Sequence, residues 1–215
     1  MNLLAHAYLG FDDPELIAGQ IAGDFVKGRD LSAYPGAIGH GIRMHRQLDA
    51  WTDRQPAFRR SCGRISVRRR RVAGILVDLL YDHSLARSWS DYSRHELDHY
   101  AGHVYRSLAQ HGVSLPDEMA AFIRRSPRIG LLEGYREQAG LERAILHIAG
   151  RFSKPDIFDG AIEEVMRIVP QIDEDFAEFF PTAIKQALKL APNSHKLTVF
   201  GESSGKPQQI KRAIR

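Results

Sequence analysis

The chain of 215 residues has one cysteine, Cys62, so no internal disulfide can form and no set of thiolates exists for a structural zinc site. No apolar run approaches the roughly 18 residues that a membrane-spanning helix needs. The opening MNLLAHAYLGFDDPEL lacks a basic start and soon turns acidic, which argues against a secretory signal. A reducing cytoplasm is the location these absences lead one to expect. Glycine-rich phosphate loops ending in Lys-Ser/Thr and a GxSxG elbow are missing as well. Period-two alternation of β-branched residues is scarce, which disfavours a β architecture.

A basic excess is also missing where it would matter. The net charge of +4 resides in residues 191–215, where Lys196, Lys206, Lys211, Arg212 and Arg215 face Glu202 alone. The preceding residues are balanced, so the pI near 9.3 does not indicate nucleic-acid binding. Residues 191–215 are rich in Pro, Asn, Ser, Gly, Lys and Gln without periodicity, and read as a disordered basic tail after a single domain over 1–190. One local exception is an arginine cluster: Arg59, Arg60, Arg64, Arg68, Arg69, Arg70 and Arg71, with no acid between them. It reads either as a solvated helix end or as a fork-shaped surface for an anionic partner.

What is present is helical spacing almost throughout. Residues 2–9 form a short apolar segment, and Asp12 or Asp13 with Pro14 begins a second helix expected to reach Lys27. A third helix is expected over 36–52 and a further one over 72–89, where apolar residues recur at Val72, Ile75, Leu76, Leu79 and Leu80. Residues 128–151 read as one interrupted helix. Pro170 is expected to stop the next helix, and Pro181 to kink or split the last.

Polar residues in apolar settings concentrate in the first 90 positions. His6 lies in NLLAHAYL, and Asp24 in AGQIAGDFVKG. His45 and Asp49 share a face of the third helix; Asp78, Asp82 and His83 lie on the helix over 72–89. Taken singly, each could be a satisfied core or capping residue. Together they form a donor set suited to a hard-to-borderline divalent ion such as Mn²⁺ or Fe²⁺. His95, His99 and His103 repeat every fourth residue, but among Arg94, Glu96 and Asp98 they read as a solvated face. Cys62 has no base near it in sequence and reads as structural.

MNLLAHAYL, GQIAGDFVKG, GIRMHRQLDAWTDRQPAFR and RRRVAGILVDLLYDHSLARSW, in this order and spacing, resemble the acyl carrier protein phosphodiesterase family. FAEFFPTAIKQAL resembles its last helix. The resemblance implies an all-α, single-domain helical bundle related to the HD-domain metal phosphohydrolases. It implies a hydrolase of lipid metabolism and fatty acid biosynthesis that uses Mn²⁺ or a similar ion, Mg²⁺ or Fe²⁺. The reaction implied is removal of 4′-phosphopantetheine from a serine of holo-acyl carrier protein, an acidic protein.

Asp24, His45, Asp82 and His83 are then the expected metal ligands, with Asp24, His45 and Asp82 as the catalytic residues. His6, Asp49 and Asp78 are expected to support them or replace one of them. The seven arginines are the expected docking surface. Here Asp82-His83 reverses the His-Asp order of HD enzymes, so ligands do not transfer by motif order. Two alternatives are a phosphohydrolase of nucleotides or other small phosphate esters, and a non-enzymatic helical adaptor for acidic partners.

Overall fold

The computed structural model describes residues 1–192. All but the first two residues of the expected tail lie outside them. Among the described residues the secondary structure is entirely helical. The α-helices are α1 (Leu3–Tyr8), α2 (Pro14–Ala22), α3 (Gly36–Thr52), α4 (Pro56–Arg64), α5 (Ala73–Arg87), α6 (Leu97–Gln110), α7 (Met119–Arg125), α8 (Gln138–Ala149) and α9 (Ala161–Leu190). No helix among the described residues is long and apolar enough to cross a membrane.

Helix α5 is the central element. It packs against α1, α4, α8 and α9, and is buried on nearly every side from Leu76 to Ala86. Its sequence dictates this, because a helix apolar all round cannot present a face to water. Asp82, fully buried within it, needs hydrogen-bond donors. They come from α1: Leu4 and Ala5 donate their backbone N–H groups to the carboxylate at 2.7 and 2.9 Å. Asn2 offers this helix no side-chain cap, so a residue distant in sequence performs the capping. A six-residue helix does not stand alone in water. Its attachment to α5 through Asp82 holds His6 in place.

Helix α2 begins as expected, with Asp13 accepting from the N–H groups of Glu15 and Leu16 and Pro14 in the first turn. It stops at Ala22, short of Lys27, because the chain turns through residues 23–25 against α3. Helices α2 and α3 touch backbone to backbone. A Cβ on Gly19 would stand 2.2 Å from the Ile38 carbonyl oxygen, and one on Gly41 2.7 Å from that of Leu16.

The later half corrects two expectations. Residues 128–151 are not one helix: short 3-10 turns over Pro127–Ile129 and Glu133–Arg136 precede α8. Gly130 adopts the left-handed φ of +56°, and Gly140 lies against the Gly134 backbone. Helix α9 runs through both Pro170 and Pro181. Each proline removes one ladder hydrogen bond. The apolar stripe from Val165 to Ala187, which includes Phe176, Phe179 and Phe180, is buried against α3, α4, α5 and α8 and keeps the helix continuous.

Replacing Asp82 with alanine strands two buried backbone donors, so Asp82→Ala is expected to cost about 2–5 kcal/mol in a denaturant titration. Burial raises the Asp82 carboxyl to about 7, although the Leu4 and Ala5 amides pull it back down. The folded state therefore keeps a proton that the unfolded state releases from about pH 4 upward. Relative to Asp82→Asn, wild-type stability should fall as pH rises from about 4 to about 7, then level off. A constant difference across that range would refute the assignment.

Candidate metal centre

Three helices bring the site together. His6 comes from α1, His45 and Asp49 from one face of α3, and Asp24 from the turn after α2. The imidazoles of His6 and His45 stack with ring centres 3.9 Å apart. Both are buried. Asp49 spans the pair: Oδ1 lies 2.9 Å from His6 Nε2, and Oδ2 lies 3.2 Å from His45 Nε2. Asp24, half exposed, approaches His45 Nε2 at 3.6 Å from the solvent side. His6, His45 and Asp49 can present one ligand atom each with all three within 4.8 Å of one another.

Electrostatics favour a cation here. Burial, together with the neighbouring His45, lowers the His6 pKa and keeps that imidazole neutral despite Asp49. Burial alone would raise the Asp49 carboxyl, but its hydrogen bonds to His45 and His6 overcome that and hold it ionised, far below the usual carboxylate range. A neutral imidazole and a carboxylate are the ligand forms that divalent ions require. His45 Nδ1 is buried without a partner. The donor set therefore fits the metal that the resemblance implies.

The amino group of Met1 lies beside the cluster, 2.7 Å from Asp78 Oδ1 and 3.4 Å from Asp49 Oδ1. Burial would lower its pKa, but the charges of Asp78 and Asp49 outweigh that and raise it to about 11. Asp78 is thus occupied with a cation of the chain itself.

The structure brings together a different subset from the one the sequence favoured. Asp24 and His45 converge as expected, and His6 and Asp49 join them directly. Asp82 and His83 are not part of this group. The Asp82 carboxylate caps α1, and His83 Nδ1 lies 2.6 Å from the Tyr135 carbonyl oxygen. Burial lowers the His83 pKa. Asp82 looked like a ligand because an unpaired buried carboxylate demands compensation; backbone amides supply it here.

The arginines divide into two sets. Arg60 and Arg64 pair with the buried Asp175 of α9 at 2.6 and 2.9 Å, and Arg69 pairs with Glu164. Burial would raise the Asp175 carboxyl, but Arg64, Arg60 and Ser61 lower it. These three arginines hold α4 and the 3-10 turn Val67–Val72 against α9. Among the described residues, Arg59, Arg68 and Arg70 donate to the backbone carbonyls of Asp53, Asp156 and Cys62, each at 3.0 Å. They are exposed, as are Arg71 and the 83%-exposed Val67. Cys62 is held as an unreactive thiol at about 11, raised by burial and then by Asp78 and Asp53 against the opposing pull of Arg70. His95 and His99 are exposed, their rings 4.9 Å apart.

Two residues that position the site were not anticipated. Gln20 Oε1 lies 3.0 Å from His6 Nδ1. Gly23 lies under the His45 ring, where a Cβ would stand 2.3 Å from Cγ. The signal was local: Gln20, Gly23 and Asp24 are spaced i, i+3, i+4 in GQIAGD, so they share a face.

An all-helical body carrying a two-histidine, carboxylate-bridged cluster defines a candidate metal-binding protein. The family model described as acyl carrier protein phosphodiesterase matches residues 1–183, and the chain belongs to that family of hydrolases. A protein of Salmonella agona (strain SL483) named acyl carrier protein phosphodiesterase is 29% identical over 195 residues, covering 89% of this chain and 100% of the relative. One of the same name from Enterobacter sp. (strain 638) is 29% identical over 191 residues, covering 87% and 97%. No solved structure matches the chain.

Gly23→Ala should force the His45 ring aside and cost about 1–3 kcal/mol of stability, as overpacking does. Thermal denaturation checks this; a midpoint equal to wild type would show that the ring is not held against the glycine.

Proposed function

We propose that this protein is a metal-dependent phosphodiesterase that hydrolyses holo-acyl carrier protein to apo-carrier protein and 4′-phosphopantetheine. The observation that carries the reading is the Asp49 carboxylate clasped between two buried imidazoles, with Asp24 at the solvent side. His6, His45 and Asp49 would hold a divalent ion, Mn²⁺ first, with Mg²⁺ or Fe²⁺ as alternatives. Such an ion polarises a phosphoryl oxygen and makes water a competent nucleophile near neutral pH.

The chain contributes the rest. Asp24 faces solvent at the rim, where a carboxylate oxygen can orient the attacking water and accept its proton. Hydrolysis forms a bond from the water oxygen to phosphorus and breaks the bond from phosphorus to the serine oxygen, which leaves with a proton. Asp49 keeps both imidazoles in one orientation, and the cap from Asp82 fixes the helix that carries His6. Asp82 thus acts through structure, as does His83 through Tyr135.

Arg59, Arg68, Arg70 and Arg71 supply the docking surface for the acidic carrier. They share it with the exposed Val67, whereas Arg60, Arg64 and Arg69 are engaged within the fold. A cytoplasmic location fits the substrate. The domain is taken as residues 1–190, with 191–215 as an appendage.

Incubation with holo-carrier protein and Mn²⁺ should release 4′-phosphopantetheine, read by mass spectrometry. His6→Ala, His45→Ala and Asp49→Ala should each lose at least about 10²-fold in kcat/KM. Failure to release the group with any divalent ion would overturn the activity. Charge reversal at Arg68, Arg70 and Arg71 should lower kcat/KM for carrier protein and flatten its salt dependence. An unchanged value would remove the docking role while leaving the hydrolase intact.

A further inference from the structure

We infer that Gln20 is a positioning residue, whose side-chain carbonyl keeps the proton of His6 on Nδ1 and so leaves the Nε2 lone pair for a divalent ion. The inference rests on the metal-centre reading above and adds to it the residue that sets the protonation pattern of a ligand. Gln20 is completely buried, and its Oε1 lies 3.0 Å from His6 Nδ1. An amide oxygen can only accept, so Nδ1 must donate. A neutral imidazole has one proton, and without an ion the Asp49 carboxylate, 2.9 Å from Nε2, draws it to that side, whereas Gln20 Oε1 draws it to Nδ1. With the proton on Nδ1, Nε2 and Asp49 Oδ1 are two acceptors, and a cation between them would satisfy both.

The opposite orientation of the amide has the opposite consequence. With its NH₂ toward Nδ1, the proton would move to Nε2 and bond directly to Asp49. His6 would then be lost as a ligand. The amide oxygen favours the proton on Nδ1, in competition with the Asp49 carboxylate at Nε2. Gln20 Nε2 is buried without a hydrogen-bond partner. A buried, unpaired donor is a cost that leucine or methionine in the same volume would not carry. A residue kept only for packing would not need it.

The contrast with His45 sharpens the assignment. His45 Nδ1 has no partner, so only the Asp49 and Asp24 carboxylates at Nε2 bear on its tautomer. Gln20 acts on His6 from the Nδ1 side, while Asp49 contacts the Nε2 atoms of both rings, which stack at 3.9 Å. Metal-binding histidines depend on the partner of the other ring nitrogen for both tautomer and basicity.

The test uses Zn²⁺, which is diamagnetic, as the probe. Long-range ¹H–¹⁵N spectra of the loaded wild type should show His6 protonated at Nδ1 and ligated through Nε2. Gln20→Leu should lower Zn²⁺ affinity about 10–100-fold in calorimetry, with a thermal midpoint close to wild type. Gln20→Glu keeps an acceptor at the same place and should retain both the Nδ1 proton and affinity close to wild type. A loaded wild type with His6 protonated at Nε2 would overturn the inference, and this spectrum decides the matter even if the leucine variant does not fold. Equal Zn²⁺ affinity in wild type and Gln20→Leu would remove the role of Gln20 alone. A wild type that binds neither Zn²⁺ nor Mn²⁺ would sink the metal-centre reading, and this inference with it.

Discussion

The site depends on a close contact between two helices. Gly19 and Gly41 let α2 and α3 touch backbone to backbone. This sets Gln20, Gly23 and Asp24 along one edge and His45 and Asp49 along the facing edge. A side chain at either glycine would separate the helices by more than the hydrogen-bond distances in the cluster can tolerate. The cluster is then completed by one further residue, His6, on a helix too short to stand alone. Precision arises here from secondary-structure packing, which is more rigid than a loop.

Four aspartates illustrate how differently a buried or half-buried carboxylate can be satisfied. Asp49 is held by two imidazoles, Asp78 by the amino group, Asp82 by two backbone amides and Asp175 by two arginines and a serine. The consequences are opposite for ionisation. Asp49 and Asp175 are driven below the ordinary range, whereas Asp82 is raised to about 7. Chemically identical residues thereby serve in a candidate ligand cluster, an anchor and a helix cap.

Much of the architecture was legible in the sequence. The apolar periodicity of α5, the limits of α3 and the Asp13-Pro14 start of α2 follow from spacing and capping alone. The course of α9 was not legible, because a proline rule is local whereas the burial that offsets it is tertiary. The breaks in 128–151 depend on how closely Gly140 approaches Gly134, which spacing does not reveal. At the candidate site, the run of polar residues in apolar segments pointed to segments that the fold brings together. It could not separate His6 from Asp82, since both are buried polar groups. The difference lies in their partners: a carbonyl and a carboxylate for His6, two amides for Asp82.

The arginine cluster shows the same separation on the surface. Seven like charges within 13 residues of sequence would repel one another if all remained free. Pairing Arg60, Arg64 and Arg69 with α9 resolves that repulsion and fixes the turn that carries the others. Arg68, Arg70 and Arg71 then remain exposed on a short, braced segment rather than on a loose loop. Fixed cations lose less conformational freedom when an acidic partner arrives than mobile ones do. The same turn leads directly into α5, so the surface proposed to receive the carrier and the helix that anchors His6 are consecutive in the chain.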